Sequence, residues 1–127
     1  MKKNLLIFLL ASLFVLLLSC NKDEKFPTKI DLKGHWTHSE GFNLADELIF
    51  DYKSVKLIFR YGDTVYSKTC NYRLDIAIKK IYFTSGVLEG NFYDIWIDKK
   101  TGLLYLKNFS DFQLYNNLQT IFKKNKV

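Results

Sequence analysis

The stretch that decides the fold is Val55-Lys56-Leu57-Ile58-Phe59-Arg60-Tyr61, which is followed at once by Gly62-Asp63. Within it, every second residue from Val55 is apolar, and the two basic residues stand between these positions. Successive side chains of an extended strand point to opposite faces. A period of two therefore predicts a half-buried β-strand, and the glycine after it predicts a tight turn.

The same alternation recurs from Ile30 onward, and turn signals such as Ser85-Gly86 separate the runs. Two further repeats of period two are Leu74-Ile76-Ile78 and Tyr93-Ile95-Ile97. We predict eight strands, near residues 33–39, 46–52, 54–61, 64–74, 79–85, 91–98, 102–109 and 117–124. Short successive strands joined by tight turns are typical of an antiparallel meander. Closing eight such strands into a barrel removes the exposed edges, and an open sandwich is the alternative.

The C-terminal segment has two interpretations. Its apolar residues also fit one face of an amphipathic helix that begins at Ser110 or Asp111, namely Phe112, Tyr115, Leu118 and Phe122. We prefer a strand, because Asn116-Asn117 is a turn signal and alternation follows it.

The N-terminus carries a different pattern. Lys2 and Lys3 precede an uncharged apolar run, and Ser19-Cys20 follows it. This order resembles a bacterial lipoprotein signal peptide, which implies cleavage before Cys20 and acylation of that cysteine. An uncleaved transmembrane anchor is the alternative, but the run is shorter than the roughly twenty residues that a spanning helix needs.

Three segments follow from this interpretation: a signal peptide over residues 1–19, the lipidated cysteine and a flexible tether over residues 20–29, and the barrel over residues 30–127. Lys22-Asp23-Glu24 in the tether also resembles the export signal of surface lipoproteins in one Gram-negative lineage. That resemblance implies the outer face of the outer membrane, whereas a merely soluble linker would leave the periplasmic face open.

Charge and cysteine content limit the functions that the chain can have. The formal charge is +6, and loss of Lys2 and Lys3 with the leader brings it to +4. The lysines are scattered without an arginine-rich stripe, so nucleic-acid binding is not expected. The two cysteines are Cys20 and Cys70. If Cys20 carries lipid, no disulfide forms, and Cys70 is predicted to be a small buried residue.

Gly34-His35-Trp36 opens the first predicted barrel strand. The motif Gly-x-Trp on strand one of an eight-stranded meander resembles lipocalins and the small lipocalin-like domains of bacterial lipoproteins. The resemblance implies that Trp36 packs over the floor of the barrel and that Gly34 permits close backbone approach. In that family a late arginine stacks on the tryptophan, whereas the arginines here are Arg60 and Arg73.

The aromatic side chains are candidates either for the core or for the lining of a ligand pocket, because an eight-stranded barrel is just wide enough to be filled or to hold one small ligand. These rings are Phe50, Tyr52, Phe59, Tyr61, Phe83, Tyr93, Trp96 and Tyr105. The candidate ligand-binding residues among them are Phe59, Tyr61, Tyr93 and Trp96.

Polar residues give no sign of catalysis. His38 and Glu40 would share a strand face, but His35 points the other way, and a zinc site needs a third ligand. Asp94 and Asp98 share a face beside turns, where nothing is expected to raise the pKa of a general acid. We expect no catalytic residue, metal or cofactor.

The sequence therefore favours a non-enzymatic, lipid-anchored outer-membrane protein whose lipocalin-like barrel binds a small apolar ligand or simply acts as a surface module. The alternative is a protein-interaction module, such as an inhibitor or immunity-type lipoprotein of the cell envelope. A ring-filled interior with exposed aromatic residues at one rim would favour the interaction module. An apolar cavity of about 300 Å³ or more would favour the ligand.

Overall fold

The computed structural model describes residues 23–41, 44–109 and 119–126. Within these residues the chain forms one short helix, α1 (Lys29–Leu32), and a set of antiparallel strands. The strands are β1 (Glu24–Lys25), β2 (Gly34–Gly41), β3 (Glu47–Phe50), β4 (Ser54–Tyr61), β5 (Thr64–Asp75), β6 (Lys80–Phe83), β7 (Phe92–Asp98), β8 (Leu104–Lys107) and β9 (Gln119–Lys124).

The strands from β2 to β9 form a closed barrel. Each pairs in antiparallel fashion with the next along the chain, and β9 also pairs with β2. This confirms the predicted all-β fold, an eight-stranded antiparallel meander barrel, over the open sandwich. The eight predicted strands agree with the observed ones to within about three residues at each end.

The structure bears on two further local predictions. The alternation at Leu74-Ile76-Ile78 does not continue as a strand, because β5 ends at Asp75 and residues 76–79 form a turn. Asp75 Oδ1 accepts hydrogen bonds from the backbone N–H groups of Ala77 and Ile78, which fixes that turn. At the C-terminus the strand is confirmed as β9, while residues 110–118, where most of the alternative helix would lie, fall outside the described residues.

Successive antiparallel strands place alternate connections at opposite ends of the barrel. One end, which we call the helix end, carries α1 and the connections at residues 51–53, 76–79 and 99–103. The other end, which we call the hairpin end, carries the connections at residues 62–63 and 84–91 and the described residues 44–46. The chain enters the barrel at the helix end, since α1 directly precedes β2.

Side chains fill the barrel interior. A row of aromatic rings in edge-to-face contact crosses it, with ring centroids 5.8 Å apart for Phe83 and Tyr93, 5.1 Å for Tyr93 and Phe109, and 6.3 Å for Phe109 and Phe122. Such contacts stabilise by about 0.5–1.5 kcal/mol each beyond burial. The buried apolar residues around them are Leu32, Trp36, Ala45, Leu48, Phe50, Val55, Leu57, Cys70, Tyr72, Ile81, Leu88, Ile95, Leu104 and Leu106.

The chain before the barrel is attached to it from Asp23 onward. Glu24 and Lys25 pair with β7, and Thr28 caps α1 through reciprocal hydrogen bonds with Asp31. These bonds, those to the Thr28 backbone first, hold the pKa of Asp31 below its usual value against the opposing effect of burial. The predicted tether over residues 20–29 therefore includes residues that contact the barrel through strand pairing and capping, which alternation alone does not reveal.

Cys70 is fully buried and unpaired, as predicted. It lies against Gly86, where φ is +84° and an added Cβ would come within 2.6 Å of the Thr69 carbonyl oxygen and 2.8 Å of Cys70 Sγ. This close approach seats the β6–β7 connection on β5.

Gly86→Ala should destabilise the barrel more than Gly90→Ala. Both glycines have a φ of +84°, but an added Cβ at Gly90 meets no atom within 4 Å. Gly90→Ala therefore measures the cost of the left-handed backbone alone, about 1–2 kcal/mol. Gly86→Ala adds the collision with Thr69 and Cys70, and we expect a further loss of about 1–3 kcal/mol. Urea unfolding of the two variants tests this, and equal losses would contradict the packing described for Gly86.

Candidate functional site

The four predicted ligand-binding residues do not form one pocket. Phe59 and Tyr61 lie two residues apart on the same face of β4, where Phe59 packs on the core and Tyr61 is 67% exposed. Tyr93 faces the interior and packs against Phe83 and Phe109. Trp96 lies on the outer wall. Of the other rings considered for the core, Tyr52 is exposed as well, and Tyr105 stacks on Trp96 outside the barrel.

The β4–β5 hairpin extends past the strands that flank it. Its strands pair from Ser54 with Asn71 to Tyr61 with Thr64, whereas β3 covers β4 only as far as Ile58. At its tip, Gly62 has a φ of +60°, as a two-residue hairpin turn with glycine first requires. The tip beyond Ile58 is a two-stranded ribbon.

One face of this ribbon is aromatic. Phe59 pairs directly with Tyr66 across the strands, and the rings of Tyr61 and Tyr66 meet edge to face with centroids 6.0 Å apart. Tyr66 is 54% exposed. We call Phe59, Tyr61 and Tyr66 the aromatic face. Tyr66 and the buried Cys70 lie four residues apart on β5, so alternation places them on the same face of the strand. Tyr66 is nevertheless exposed, because it lies beyond the barrel wall.

Charged groups fix the base of the hairpin to β3. The Glu47 carboxylate is largely buried and accepts from Arg60 Nη2 at 2.5 Å, while its other oxygen lies 2.9 Å from His35 Nε2. The backbone N–H of Arg60 donates to Asp46 Oδ2 at 2.6 Å. A charge-assisted cluster of this kind limits the swing of a ribbon that would otherwise be held by one strand partner only.

The β5 side of the hairpin presents an open strand edge. The backbone carbonyl of Asn71 accepts a hydrogen bond from Thr84 N, and its backbone N–H donates to Ser85 Oγ. Both backbone groups therefore point away from β4. By alternation, the backbone groups of Val65 and Ser67 point the same way. In the described part of the chain β6 pairs with β5 only from Tyr72 onward. The edge at Val65 and Ser67 is therefore available to an additional strand.

A groove of about 370 Å³ lies on the outer wall beside β7 and contains the predicted ligand-binding residue Trp96. Phe26 contributes a second apolar surface, and the other lining residues are Glu24, Lys79, Asp94, Ile95, Lys107 and Gln119. Trp96 stacks almost parallel on Tyr105 with centroids 5.2 Å apart, so one face of the indole is already covered. The groove is open and largely polar, unlike the enclosed apolar cavity that a lipocalin-like ligand site would need.

Trp36 closes the helix end. It is 1% exposed, and its Nε1 donates to the Leu32 carbonyl at 2.7 Å, which fastens α1 over the barrel. Lys124 Nζ lies 5.3 Å from the ring centroid of Trp36 and donates to the Asp31 carbonyl. Gly34, with a φ of +130°, leaves room for the Lys124 stem, since an added Cβ would lie 3.0 Å from its Cε. A lysine on β9 thus places a cation beside the indole of Trp36.

The histidines and aspartates considered from the sequence are held in structural contacts. His38 Nε2 lies 2.8 Å from the Gly41 carbonyl, on the opposite side of β2 from the contact between His35 and Glu47. Asp94 pairs with Lys80 at 2.9 Å, and Asp98 accepts backbone N–H groups in the β7–β8 turn. Among the described residues no group of three or more histidine, cysteine, aspartate or glutamate side chains is arranged to hold a metal.

Comparison with protein-family models, with curated proteins and with solved structures finds no match to this chain. No helix among the described residues is long and apolar enough to cross a membrane. The surface of the barrel itself therefore provides the evidence for function.

Tyr72 makes the barrel sensitive to alkaline pH. Its hydroxyl donates to the Asp51 carbonyl at 2.7 Å, and burial, aided by the negative charge of Asp51, raises the pKa of Tyr72 to about 12. Because this pKa exceeds the unfolded value of 10.0, the stabilisation is complete below pH 10 and is lost as the pH rises toward 12.

Tyr72→Phe should remove this pH dependence. The wild type should be the more stable protein below pH 10, by about 1 kcal/mol for one buried hydrogen bond. Its advantage over Tyr72→Phe should shrink between pH 10 and pH 12. Urea unfolding of both proteins at pH 9, 10.5 and 12 tests this, and a constant difference would show that Tyr72 ionises alike in the folded and unfolded chains.

Proposed function

We propose that this chain is a non-enzymatic lipoprotein of the bacterial outer membrane, anchored through acylated Cys20, whose barrel presents the β4–β5 hairpin to a protein partner in the cell envelope. The support for the anchor is the order of a basic start, an apolar run, Ser19 and Cys20. A diacylglycerol thioether and an acylated amine on one cysteine give the several acyl chains that stable anchoring needs. Lys22-Asp23-Glu24 supports the outer face of the membrane, and the periplasmic face is the alternative.

Cys20→Ser should abolish lipid attachment. After metabolic labelling of the host with a palmitate analogue, the wild-type chain should carry label and partition into the detergent phase. The variant should carry none. Cys70→Ser is the matched control. Because Cys70 is buried, this variant should carry as much label as the wild type. A Cys20→Ser chain that is still labelled would refute the anchor.

The observation that carries the partner function is the combination of a filled interior and an exposed aromatic hairpin. The row from Phe83 to Phe122 occupies the space in which a ligand would have to sit. Tyr61 and Tyr66, by contrast, expose more than half of their surface on a ribbon fixed at its base. Tyrosine supplies a large amphipathic contact area at low entropic cost, and for that reason it is enriched in protein interfaces.

The partner that fits this ribbon contributes an extended segment. Such a segment would pair with the open edge of β5 at Val65 and Ser67 through backbone hydrogen bonds. Its side chains would then reach the aromatic face of the ribbon, where Tyr66 lies on β5 itself. Backbone pairing would supply affinity, and the tyrosines would supply selectivity.

Tyr61→Ser combined with Tyr66→Ser should release the partner. Truncation of central interface residues typically costs 2 kcal/mol or more, so we expect at least a thirtyfold loss of affinity. Native mass spectrometry of the chain isolated from its host, before and after the double substitution, measures it. Tyr52→Ser is the control, because Tyr52 is also an exposed tyrosine but lies at the helix end. If Tyr52→Ser weakens the complex as much as the double variant, the hairpin is not the contact.

A small apolar ligand remains the second candidate, and the groove beside Trp96 and Phe26 favours it. Lys79 and Lys107 in the lining would suit an anionic head group on such a molecule. The same native mass spectra separate the two functions. A retained small mass that is lost in Trp96→Ala would support the ligand, whereas a retained protein that is lost with the two tyrosines supports the partner.

A further inference from the structure

The helix end of the barrel exposes isolated aliphatic side chains. Ile30 on α1 is 73% exposed, and Ile76 and Ile78 in the β5–β6 turn are 76% and 55% exposed. The hydrogen bonds of Asp75 stabilise the turn that contains Ile76 and Ile78. Three exposed isoleucines at one end of a small barrel are apolar surface that neither the core nor the hairpin explains.

The described residues at the helix end carry an excess of lysines. Basic residues outnumber acidic ones there, whereas the described part of the hairpin end has the opposite balance. The lysines at the helix end are Lys25, Lys29, Lys33, Lys53, Lys79, Lys99, Lys100, Lys123, Lys124 and Lys126, and the carboxylates there are Asp23, Glu24, Asp31, Asp51, Asp75 and Asp98. The hairpin end carries Glu40, Asp46, Glu47, Asp63 and Glu89 with Arg60 and Lys107.

The position of Asp23 links this end to the proposed anchor. Asp23 lies beside the β7–β8 turn, where its carbonyl accepts from Lys99 N and its carboxylate pairs with Lys100. Only three residue steps separate it from Cys20, and an extended chain covers at most about 3.6 Å per step. An acylated Cys20 therefore keeps Asp23 within roughly 11 Å of the lipid, a few ångströms more than the headgroup layer of about 5–8 Å.

We propose that the helix end docks on the surface of an anionic lipid bilayer, with Ile30, Ile76 and Ile78 among the headgroups and the lysines of this end against lipid phosphates. This inference rests on the proposed anchor, which limits the distance between the barrel and the membrane. The isoleucines and lysines determine which end of the barrel faces the membrane. Basic side chains near an anionic surface contribute about 1 kcal/mol each, a factor of about five in binding. The docked barrel holds the hairpin end away from the membrane, where the aromatic face is open to a partner.

The test uses the chain from residue 20 onward with Cys20→Ser and no leader, because every described strand pairing lies between Glu24 and Lys124. Binding to sedimenting vesicles of phosphatidylcholine with phosphatidylglycerol is compared with binding to phosphatidylcholine alone. We expect binding only to the anionic vesicles. Lys53→Gln with Lys99→Gln, both at the helix end, should weaken it roughly thirtyfold.

The control is Lys56→Gln with Lys68→Gln, which removes the same charge from the exposed strands of the hairpin and should change binding less than twofold. In a second comparison Ile76→Asn should weaken binding severalfold, and Val65→Asn, at a residue 53% exposed, should not. Equal losses in test and control variants would overturn the docked orientation, and so would equal binding to both vesicles. Because this protein lacks Cys20, the result does not depend on acylation, which the palmitate labelling decides separately.

Discussion

The rest of the structure depends on the pairing of the last strand with the first strand of the barrel. β9 meets β2 along a register that runs from Trp36 opposite Lys124 to Gly41 opposite Thr120 and shifts once between His38 and Glu40. Gly41 makes this contact possible, since an added Cβ would lie 2.1 Å from the Gln119 carbonyl oxygen. Without this closure β2 and β9 would each expose an edge, and the inner faces of the strands would not enclose one core.

Closure also determines what the interior can hold. The short strands β3, β6 and β8 bring their buried residues into one cluster, and the aromatic row fills its centre. The same pairing places Lys124 over Trp36, so a single lysine stem covers the indole while its ammonium group binds the end of α1. The barrel is thus closed at the helix end by the contacts of one strand with one tryptophan, and its interior is occupied by its own side chains.

The fold was predictable from the sequence because alternation and turn residues are local signals. The strand runs, the turns at Gly62 and Gly86 and the burial of Cys70 all follow from them. The candidate site was less predictable. Alternation assigns Tyr61 and Tyr66 to the inner face of the sheet, but it does not state where the barrel wall ends and the hairpin continues alone. The end of the wall is determined by how far β3 pairs with β4 and β6 pairs with β5. The extent of this pairing depends on tertiary structure and not on local sequence.

The extension of the hairpin beyond its neighbours also explains why such an edge can persist. An open strand edge is an aggregation hazard unless charge or geometry protects it. Here Lys68 stands on the edge strand itself, opposite Leu57 of β4. This charge discourages another copy of the same edge from pairing, because like charges would then meet across the new strand pair. It leaves the edge open to a segment of different charge. The charge that opposes self-pairing thus also restricts which segment can pair with this edge.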